Sequence, residues 1–347
     1  MSQIRRRRLR SAGAFALTGA LLGVVVGLVL GLVDRESLLL SVARGLTIGL
    51  CIGGGVGVGE ELLLPGWSRR LGLRTLNALR ITLYAAGIFL ALTLVNAASL
   101  AWLRDLGPLG AVRAYFADHN GTRDLVLAAG LSILFALLMQ LRRLHRAREL
   151  WGLLSGRYYY PEQEERVFLF ADIADSTGLA ERLGPLEYSH LLRNCFSDIS
   201  EAILAWGGSV YQHAGDSVIV SWPLAAGLQG GTCVRCFWEM VGSLESRADE
   251  YTGRFGTIPT LRGGIHGGSV VTTWVGEAKR ELAFHGDTLN ATSRVQGLCK
   301  TLGARLLVSG PIYARIEPDA VWAVMPLGEH PLRGRREPLV LVSVGPG

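Results

Sequence analysis

Long apolar runs separated by short basic clusters fill the chain up to about residue 141, and the remainder has the mixed pattern of a soluble domain. Four apolar segments approach the ~20 residues that a helix needs to cross a bilayer core. They are residues 12–33, 38–64, 75–103 and 124–141. The pattern predicts an α-helical membrane domain with four transmembrane helices over residues 1–141. A basic connector follows over residues 142–161, and a soluble α/β domain over residues 162–347.

The charge pattern orients these helices. Charged residues make up 18% of the chain, below the average of about 25%, and the net charge is +6. Much of the excess lies in arginine clusters at residues 5–10, 69–70 and 142–148, each beside an apolar run. This placement is typical of topology determinants rather than of a nucleic-acid-binding stripe. It predicts a multi-pass protein of the cell membrane, with both termini and the soluble domain in the cytoplasm.

Glycines recur every four residues in the first two spans, at Gly19, Gly23, Gly27 and Gly31 and at Gly45, Gly49, Gly53 and Gly57. This spacing keeps them on one helix face and allows close backbone approach in lipid. The two faces either pack against each other within one chain or form a seam between chains. Arg44 and the pair Glu60 and Glu61 lie near the ends of the second span, where we expect interfacial positions.

The soluble domain begins with a strand that ends in an acid. Residues 167–173 (VFLFADI) form an apolar run that predicts a buried strand with Asp172 at its carboxyl end. Ser176, Thr177 and Gly178 then open a helix, which we expect to continue to about residue 206. Free backbone N–H groups at such a helix start are a natural binding place for phosphate.

A second acid follows in a predicted hairpin. Residues 209–222 (SVYQHAGDSVIVSW) read as two alternating strands joined through Gly215 and Asp216. Either Asp172 or Asp216 alone could be an ordinary cap or turn residue. Together, at neighbouring strand ends, they suit hard divalent cations such as Mg²⁺, which prefers few carboxylates and substrate phosphate oxygens.

A third candidate group lies on a later helix. A long helix is predicted over residues 225–251, then strands, then a helix over residues 288–302. Asn290 and Arg294 are four residues apart and share a face of that last helix. An amide and a guanidinium suit a ribose and a phosphate, although such a pair alone is also common on solvated surfaces.

The cysteines and histidines do not form a separate site by spacing. Cys233 and Cys236 make a CxxC without a second pair, so we expect reduced thiols. His213, His266 and His285 fall on different strands and are expected to be ordinary strand or pocket residues. Trp206, Trp222, Trp238 and Trp274 are expected in the core or in an interface between subunits.

Residues 167–310 resemble the class III adenylate/guanylate cyclase catalytic domain. The matching motifs, in order, are FADIADST, YQHAGDSVIVSW, LRGGIHGGSVVTTWVG and HGDTLNATSR followed by QG. The resemblance implies an α+β sandwich with a ferredoxin-like core, and active sites that form between two paired domains. It therefore implies a homodimer with two equivalent sites.

The resemblance also implies roles for individual residues. Asp172 and Asp216 would hold two Mg²⁺ or Mn²⁺ ions, with the Ile173 carbonyl as a further ligand. Asn290 would orient the ribose and Arg294 would stabilise charge on the α-phosphate. A basic residue near the C-terminus, Arg333 or Arg335, would contact the terminal phosphates of the nucleotide.

The sequence departs from the family pattern at the two positions that usually select the base. Gln212 and Ala283 stand where adenylate cyclases of the family usually carry Lys and Asp or Thr. Because the guanine-selecting acid is absent as well, ATP is favoured as substrate, and GTP or another nucleotide stays open. The alternative to an active cyclase is a degenerate, nucleotide-binding signalling module. A membrane transporter is disfavoured because the spans carry few charges at mid-depth.

Overall fold

The computed structural model describes residues 3–33, 37–63, 73–117, 125–126, 129–130, 133, 158–276, 281–316, 321–335 and 337–347. The chain divides into two compact units, Met1–Ala147 and Arg148–Gly347. Most of the predicted fourth span and of the predicted connector lies outside the described residues.

The first unit is helical. Its described helices are α1 (Gln3–Val33), α2 (Leu38–Val58), α3 (Leu73–Arg104) and α4 (Pro108–Ala117), and a π-helical turn (Gly59–Leu63) continues α2. In this part of the chain, three helices are long and apolar enough to cross a membrane, at Arg5–Val29, Leu38–Glu61 and Thr75–Arg104. They coincide with the first three predicted spans. Helix α4 lies between the third and fourth predicted spans, where the sequence predicted no further span.

The glycine faces of α1 and α2 pack against each other within one chain. A Cβ atom added to Gly23 would lie 2.0 Å from the carbonyl oxygen of Gly45, and one added to Gly45 would lie 2.1 Å from that of Gly23. Gly19 meets Gly49 in the same way, at 2.3 Å. Of the two alternatives, the structure therefore supports packing of the hairpin within the chain.

The Glu60 side chain is buried and forms an ion pair. Its carboxylate lies 3.1 Å from Nε of Arg80, and the two side chains are only 6% and 7% exposed. The Tyr84 hydroxyl also donates a hydrogen bond to Glu60. The π-helical turn that carries Glu60 packs against α3, which supplies both partners. The position of Glu60 at the membrane interface stays a prediction.

The second unit is a mixed sheet covered by helices. Its helices are α5 (Ser176–Ala205), α6 (Leu224–Leu228), α7 (Thr232–Glu245), α8 (Ala248–Phe255), α9 (Asp287–Thr301) and α10 (Gly310–Tyr313), with a 3-10 turn at Gln229–Gly231. Its strands are β1 (Glu162–Ile173), β2 (Ser209–Ala214), β3 (Ser217–Pro223), β4 (Leu261–Val275), β5 (Glu281–His285), β6 (Leu306–Ser309), β7 (Trp322–His330) and β8 (Leu339–Pro346).

The sheet confirms the predicted ferredoxin-like core. Its order is β2-β3-β1-β4-β6-β8-β7, and β5 pairs with β4 off this path. The strands β1 to β4 with α5 and α7 form a β-α-β-β-α-β unit of antiparallel strands. Strand β6 extends the sheet by pairing parallel to β4.

The two faces of β1 pack against different layers, because successive side chains of a strand point to opposite sides. Val167, Leu169 and Ala171 are buried in the main core, together with residues of α5 and α7. Phe168 points the other way into a smaller cluster that includes Phe284 of β5. Asp172 has the parity of Phe168 and therefore lies on this second face of the sheet.

The single helix predicted over residues 225–251 is broken into α6, α7 and α8. Gly230 and Gly231 have φ values of 55° and 65°, which end the first helical turns. A Cβ on Gly231 would lie 1.9 Å from the ring of Trp322. The prediction was wrong because the apolar periodicity continues across this break, whereas the backbone does not.

The CxxC cysteines are structural. Cys233 and Cys236 are completely buried in the main core and are free thiols. Burial raises the pKa of Cys233 to about 12. Of the predicted core tryptophans, Trp222 is buried, and its indole N–H donates to the carbonyl of Trp206 at 3.0 Å.

Candidate active site

The predicted metal acid Asp172 lies one residue before the end of β1, in the middle of the sheet. It stands opposite Ser217 of β3 on one side and opposite Arg262 of β4 on the other. The carboxyl is half-buried, and its Oδ1 atom is buried without a hydrogen-bond partner among the residues that the structure describes. A buried carboxylate oxygen without a donor is costly unless another ligand fills the place.

Asp216 lies beside it because of the β2–β3 turn. Gly215 takes a φ of 63°, which favours glycine and turns the chain so that Asp216 directly precedes Ser217, the partner of Asp172. Burial raises the pKa of Asp172; a hydrogen bond from Gln296 opposes this effect, and the negative charge of Asp216 adds to it. Two neighbouring acids at one strand edge, where the charge of Asp216 raises the pKa of Asp172, are a suitable donor pair for divalent cations.

The predicted backbone ligand Ile173 is fixed by the core. Its side chain is 2% exposed and belongs to the cluster beneath α5 and α7. The next residue, Ala174, donates its backbone N–H to the Thr260 carbonyl at 2.8 Å. The backbone is therefore held in place directly after Asp172.

The residues predicted to bind phosphate, Ser176, Thr177 and Gly178, form the start of α5. Asp175, which precedes it, has a φ of 56°, and its carboxylate lies over the first turn. A Cβ added to Gly178 would come within 2.8 Å of that carboxylate. Ser176 is half-buried and Thr177 is exposed.

Tyr188 is a site residue that the sequence did not indicate. Its hydroxyl hydrogen-bonds the Ser176 side chain and lies close enough to Asp216 to respond to its charge. Burial, and then Asp216, raise the pKa of Tyr188. Tyr188 reaches this place because α5 is kinked at Gly184 (φ 72°), directly before Pro185. The Gly184–Pro185 pair signals a break in the helix, but the angle of the kink, which brings Tyr188 to Ser176, cannot be read from residue types.

Gln296 is a second residue that the sequence missed. It lies on α9 and its side chain hydrogen-bonds Asp172. Helix α9 comes this close because Gly264 of β4 has no side chain: a Cβ there would lie 2.3 Å from the backbone nitrogen of Gln296. One turn later the Cys299 thiol donates to the Gly263 carbonyl at 3.2 Å.

Asn290 and Arg294, the predicted ribose and phosphate residues, lie on α9 as expected. Asn290 is exposed. Arg294 is a third exposed, and its Nη1 atom is 3.9 Å from Oδ1 of Asp287. The other oxygen of Asp287 lies 3.1 Å from Nε of Arg335. Arg333, on the same turn as Arg335, is exposed.

The structure thus forms two groups of predicted residues. Asp172 and Asp216 are neighbours at the edge of β1 and β3. Arg294 and Arg335 are joined through Asp287. Of the two C-terminal arginines that the sequence offered, Arg335 is the one in contact with this second group.

The two positions predicted to select the base lie next to a pair of aromatic residues in contact. Gln212 follows Tyr211 on β2, and Ala283 precedes Phe284 on β5. The rings of Tyr211 and Phe284 have their centroids 4.8 Å apart. The fold therefore brings β2 and β5 together at these two positions.

The second unit is similar to known proteins. Residues 158–342 match the family model described as the adenylate and guanylate cyclase catalytic domain. Adenylate cyclase 2 of Rhizobium meliloti (strain 1021) is 38% identical over 208 residues, which cover 58% of this chain and 57% of the relative. Adenylate cyclase 1 of the same organism is 33% identical over 198 residues, which cover 56% of this chain and 29% of the relative.

The chain therefore matches little more than half of one relative and under a third of the other. Among solved structures, a bacterial light-regulated adenylyl cyclase has a TM-score of 0.52 at 20% identity, over 63% of this chain and 64% of that chain. At this identity the likeness shows the fold alone.

Proposed function

Because the chain belongs to the adenylate and guanylate cyclase catalytic-domain family, we propose that it is a membrane-anchored nucleotidyl cyclase. Its reaction is the conversion of ATP to cyclic AMP and pyrophosphate. The observation that carries the proposal is the adjacency of Asp172 and Asp216, with one buried carboxylate oxygen left without a hydrogen-bond donor among the described residues.

The proposed reaction assigns a different role to each group of site residues. Asp172, Asp216 and the Ile173 carbonyl would hold two Mg²⁺ or Mn²⁺ ions, since carboxylate and carbonyl oxygens are their preferred ligands. When bound, these ions supply the positive charge that acidifies the ribose 3′-hydroxyl and neutralises the leaving pyrophosphate. Asn290 orients the ribose, and Arg294 stabilises negative charge that develops on the α-phosphate.

In the reaction, the 3′-oxygen forms a bond to the α-phosphorus while the bond from that phosphorus to the α–β bridging oxygen breaks. Pyrophosphate leaves, and the 3′-hydroxyl proton goes to solvent. No side chain among the described residues is needed as a dedicated base. Ser176, Thr177 and Gly178 offer backbone N–H groups at the start of α5 for the phosphates, and Arg333 or Arg335 offers a cation for the terminal ones.

The enzyme is proposed to act as a homodimer, with the two acids of each site from one chain and the Asn–Arg pair from the other. Exposure of Asn290 in the single chain supports this arrangement, because a solvated amide contributes little net binding energy. Residues 1–141 would form the membrane domain with four spans, residues 142–161 the connector and residues 162–347 the cytoplasmic catalytic domain. Three apolar helices support the anchor.

ATP is the proposed substrate because the relatives named above are adenylate cyclases. Gln212 and Ala283 depart from the usual adenine-selecting pair and favour a second candidate, a degenerate module that binds nucleotide without turnover. A third reading is a cyclase that uses GTP or another nucleotide. All three bind nucleoside triphosphate, and they differ in the product.

The first test is a product assay of the full-length chain in detergent with Mg²⁺ or Mn²⁺ and each of the four nucleoside triphosphates. The proposal expects cyclic AMP to form fastest, and Asp216→Asn to abolish it. Nucleotide binding without any cyclic product would instead establish the degenerate module. Product from GTP alone would overturn the choice of ATP.

The second test concerns the shared site. Asp216→Asn and Asn290→Ala chains should each be inactive alone. When they are mixed and allowed to exchange, half of the dimers are mixed and carry one intact site of two, so activity should recover to about a quarter of wild type. Failure to recover, with exchange verified by tagged chains, would contradict a site built from two chains.

A further inference from the structure

Asp287 stands between two arginines at the start of α9. Its Oδ1 lies 3.9 Å from Nη1 of Arg294, and its Oδ2 lies 3.1 Å from Nε of Arg335. Arg294 follows Asp287 by two helical turns on the same face. It reaches back toward Asp287 because helical side chains lean toward the N-terminus. One carboxylate thus faces two guanidinium groups.

The second arginine is delivered by an anchored turn. The backbone N–H of Arg335 donates to the Leu332 carbonyl at 3.0 Å, and Leu332 is 3% exposed in a cluster with residues of α9. Gly334, between them, has a φ of 79°, and a Cβ on it would lie 3.4 Å from Nη2 of Arg294. The turn therefore lies against the Arg294 guanidinium and fixes where Arg335 stands.

Arg294 and Arg335 can still bind a further anion. Nη1 of Arg294 is buried and has no hydrogen-bond acceptor among the described residues, since 3.9 Å to Asp287 is too long for a hydrogen bond. Asp287 itself is 55% exposed. An exposed ion pair contributes only about 0.2–1 kcal/mol, so an anion with several charged oxygens can displace it readily.

We propose that Asp287 is a positioning residue that holds Arg294 and Arg335 in the nucleotide-free enzyme and releases them to the phosphate oxygens of the substrate. Phosphate pairs with guanidinium groups through two parallel hydrogen bonds, which a single carboxylate shared between two arginines does not provide. The inference rests on the proposed function and adds a competitor for the phosphate-binding arginines that is built into the chain.

The test is Asp287→Asn in the full-length chain, which removes the competing charge and keeps the size of the side chain. The KM for nucleotide and the inhibition constant of pyrophosphate should both fall by about two- to fivefold, the equivalent of the exposed pair. The kcat should stay within about twofold. Asp287→Glu keeps the charge and should restore the wild-type KM.

The matched control is Asp249→Asn. Asp249 is also an exposed acid in the first turn of a helix, α8, so it loses the same charge and the same favourable position at a helix start. It should leave KM and pyrophosphate inhibition unchanged. An unchanged or raised KM in Asp287→Asn would overturn the proposal, and so would an equal fall of KM in Asp249→Asn.

A binding measurement separates this inference from the proposed reaction. If the wild-type chain makes no cyclic product, the proposed function fails, but titration calorimetry with pyrophosphate and Mg²⁺ still compares the variants. Tighter pyrophosphate binding by Asp287→Asn than by wild type and by Asp249→Asn would support the proposal that Asp287 competes with phosphate for the two arginines. Equal affinity of all three would refute it.

Discussion

Replacing Gly264 by Ala should separate helix α9 from the sheet that carries the two acids. Gly264 lies near the start of β4, opposite Phe170 of β1 and Leu307 of β6. An added Cβ would lie 2.3 Å from the backbone nitrogen of Gln296 and 2.6 Å from its Cα. Carbon atoms pack best at about 3.5–4.0 Å, and backbone atoms cannot rotate away. The helix must therefore move outward by roughly 1 Å.

The expected cost has two parts. Overpacking of this kind costs about 1–3 kcal/mol of folding free energy, which lowers the melting temperature by roughly 2–4 °C per kcal/mol for a domain of this size. The displaced helix also carries Asn290 and Arg294. A misplacement of about 1 Å in a catalytic group can reduce turnover about a hundredfold. Activity should thus fall far more than the folded fraction does.

The assay is urea unfolding of the full-length chain in detergent, followed by tryptophan fluorescence, alongside kcat under conditions where the chain is folded. The control is Gly242→Ala on α7, where no described atom outside the local helix backbone lies within 4 Å of the new methyl group. That change should stabilise the chain by about 0.4–1 kcal/mol and leave kcat unchanged. Wild-type stability and turnover in Gly264→Ala would show that α9 does not lie on β4 as described.

Three further outcomes test other parts of the molecule. Burial lowers the pKa of His266 to about 4 from 6.5, so the folded chain binds fewer protons there than the unfolded chain. Stability should rise with pH between about 4 and 6.5, by up to about 3 kcal/mol, and His266→Gln should flatten that slope in unfolding measurements at several pH values. Gly23→Ala should destabilise the α1–α2 hairpin by about 1–3 kcal/mol, measured by thermal unfolding followed by circular dichroism. The control Gly87→Ala should not, because its new methyl group meets no described atom within 4 Å. Equal unfolding midpoints of the two variants would argue against the glycine packing. Gln296→Met should raise the Mg²⁺ concentration for half-maximal activity by roughly tenfold without changing the nucleotide KM, and a change in KM alone would mean that Gln296 does not act through Asp172.

The parts of the site that local pattern determines could be predicted from the sequence. The apolar run before Asp172 predicts a strand that ends at this acid, and β1 does end one residue later. The Gly215–Asp216 turn between alternating residues predicts the β2–β3 hairpin that is observed. The start of β1 was missed because Glu162 and its neighbours are charged, and they join the sheet by pairing with the long strand β4.

The parts that depend on docking could not be predicted. Gln296 acts through the distance between α9 and β4, which Gly264 sets from a position 32 residues earlier in the chain. Tyr188 reaches Ser176 only because α5 is kinked at Gly184. The apolar periodicity that joined α6, α7 and α8 into one helix gives no information about the left-handed glycine at Gly230. In each case a glycine either allows a close approach or changes the backbone path, and the residue type alone does not say which, or in which direction.

Helix α9 holds its functional side chains in a fixed position but leaves part of them exposed to solvent. It is docked to β4 at both ends, where the Thr288 hydroxyl donates to the Ser269 carbonyl at 2.8 Å and the Cys299 thiol donates to the Gly263 carbonyl. Its opposite face leaves Asn290 in solvent. A side chain that is rigidly carried yet solvated can act only when another surface excludes water from it. Under the proposed homodimer that surface is the second chain, which brings its own Asp172 and Asp216 to the helix.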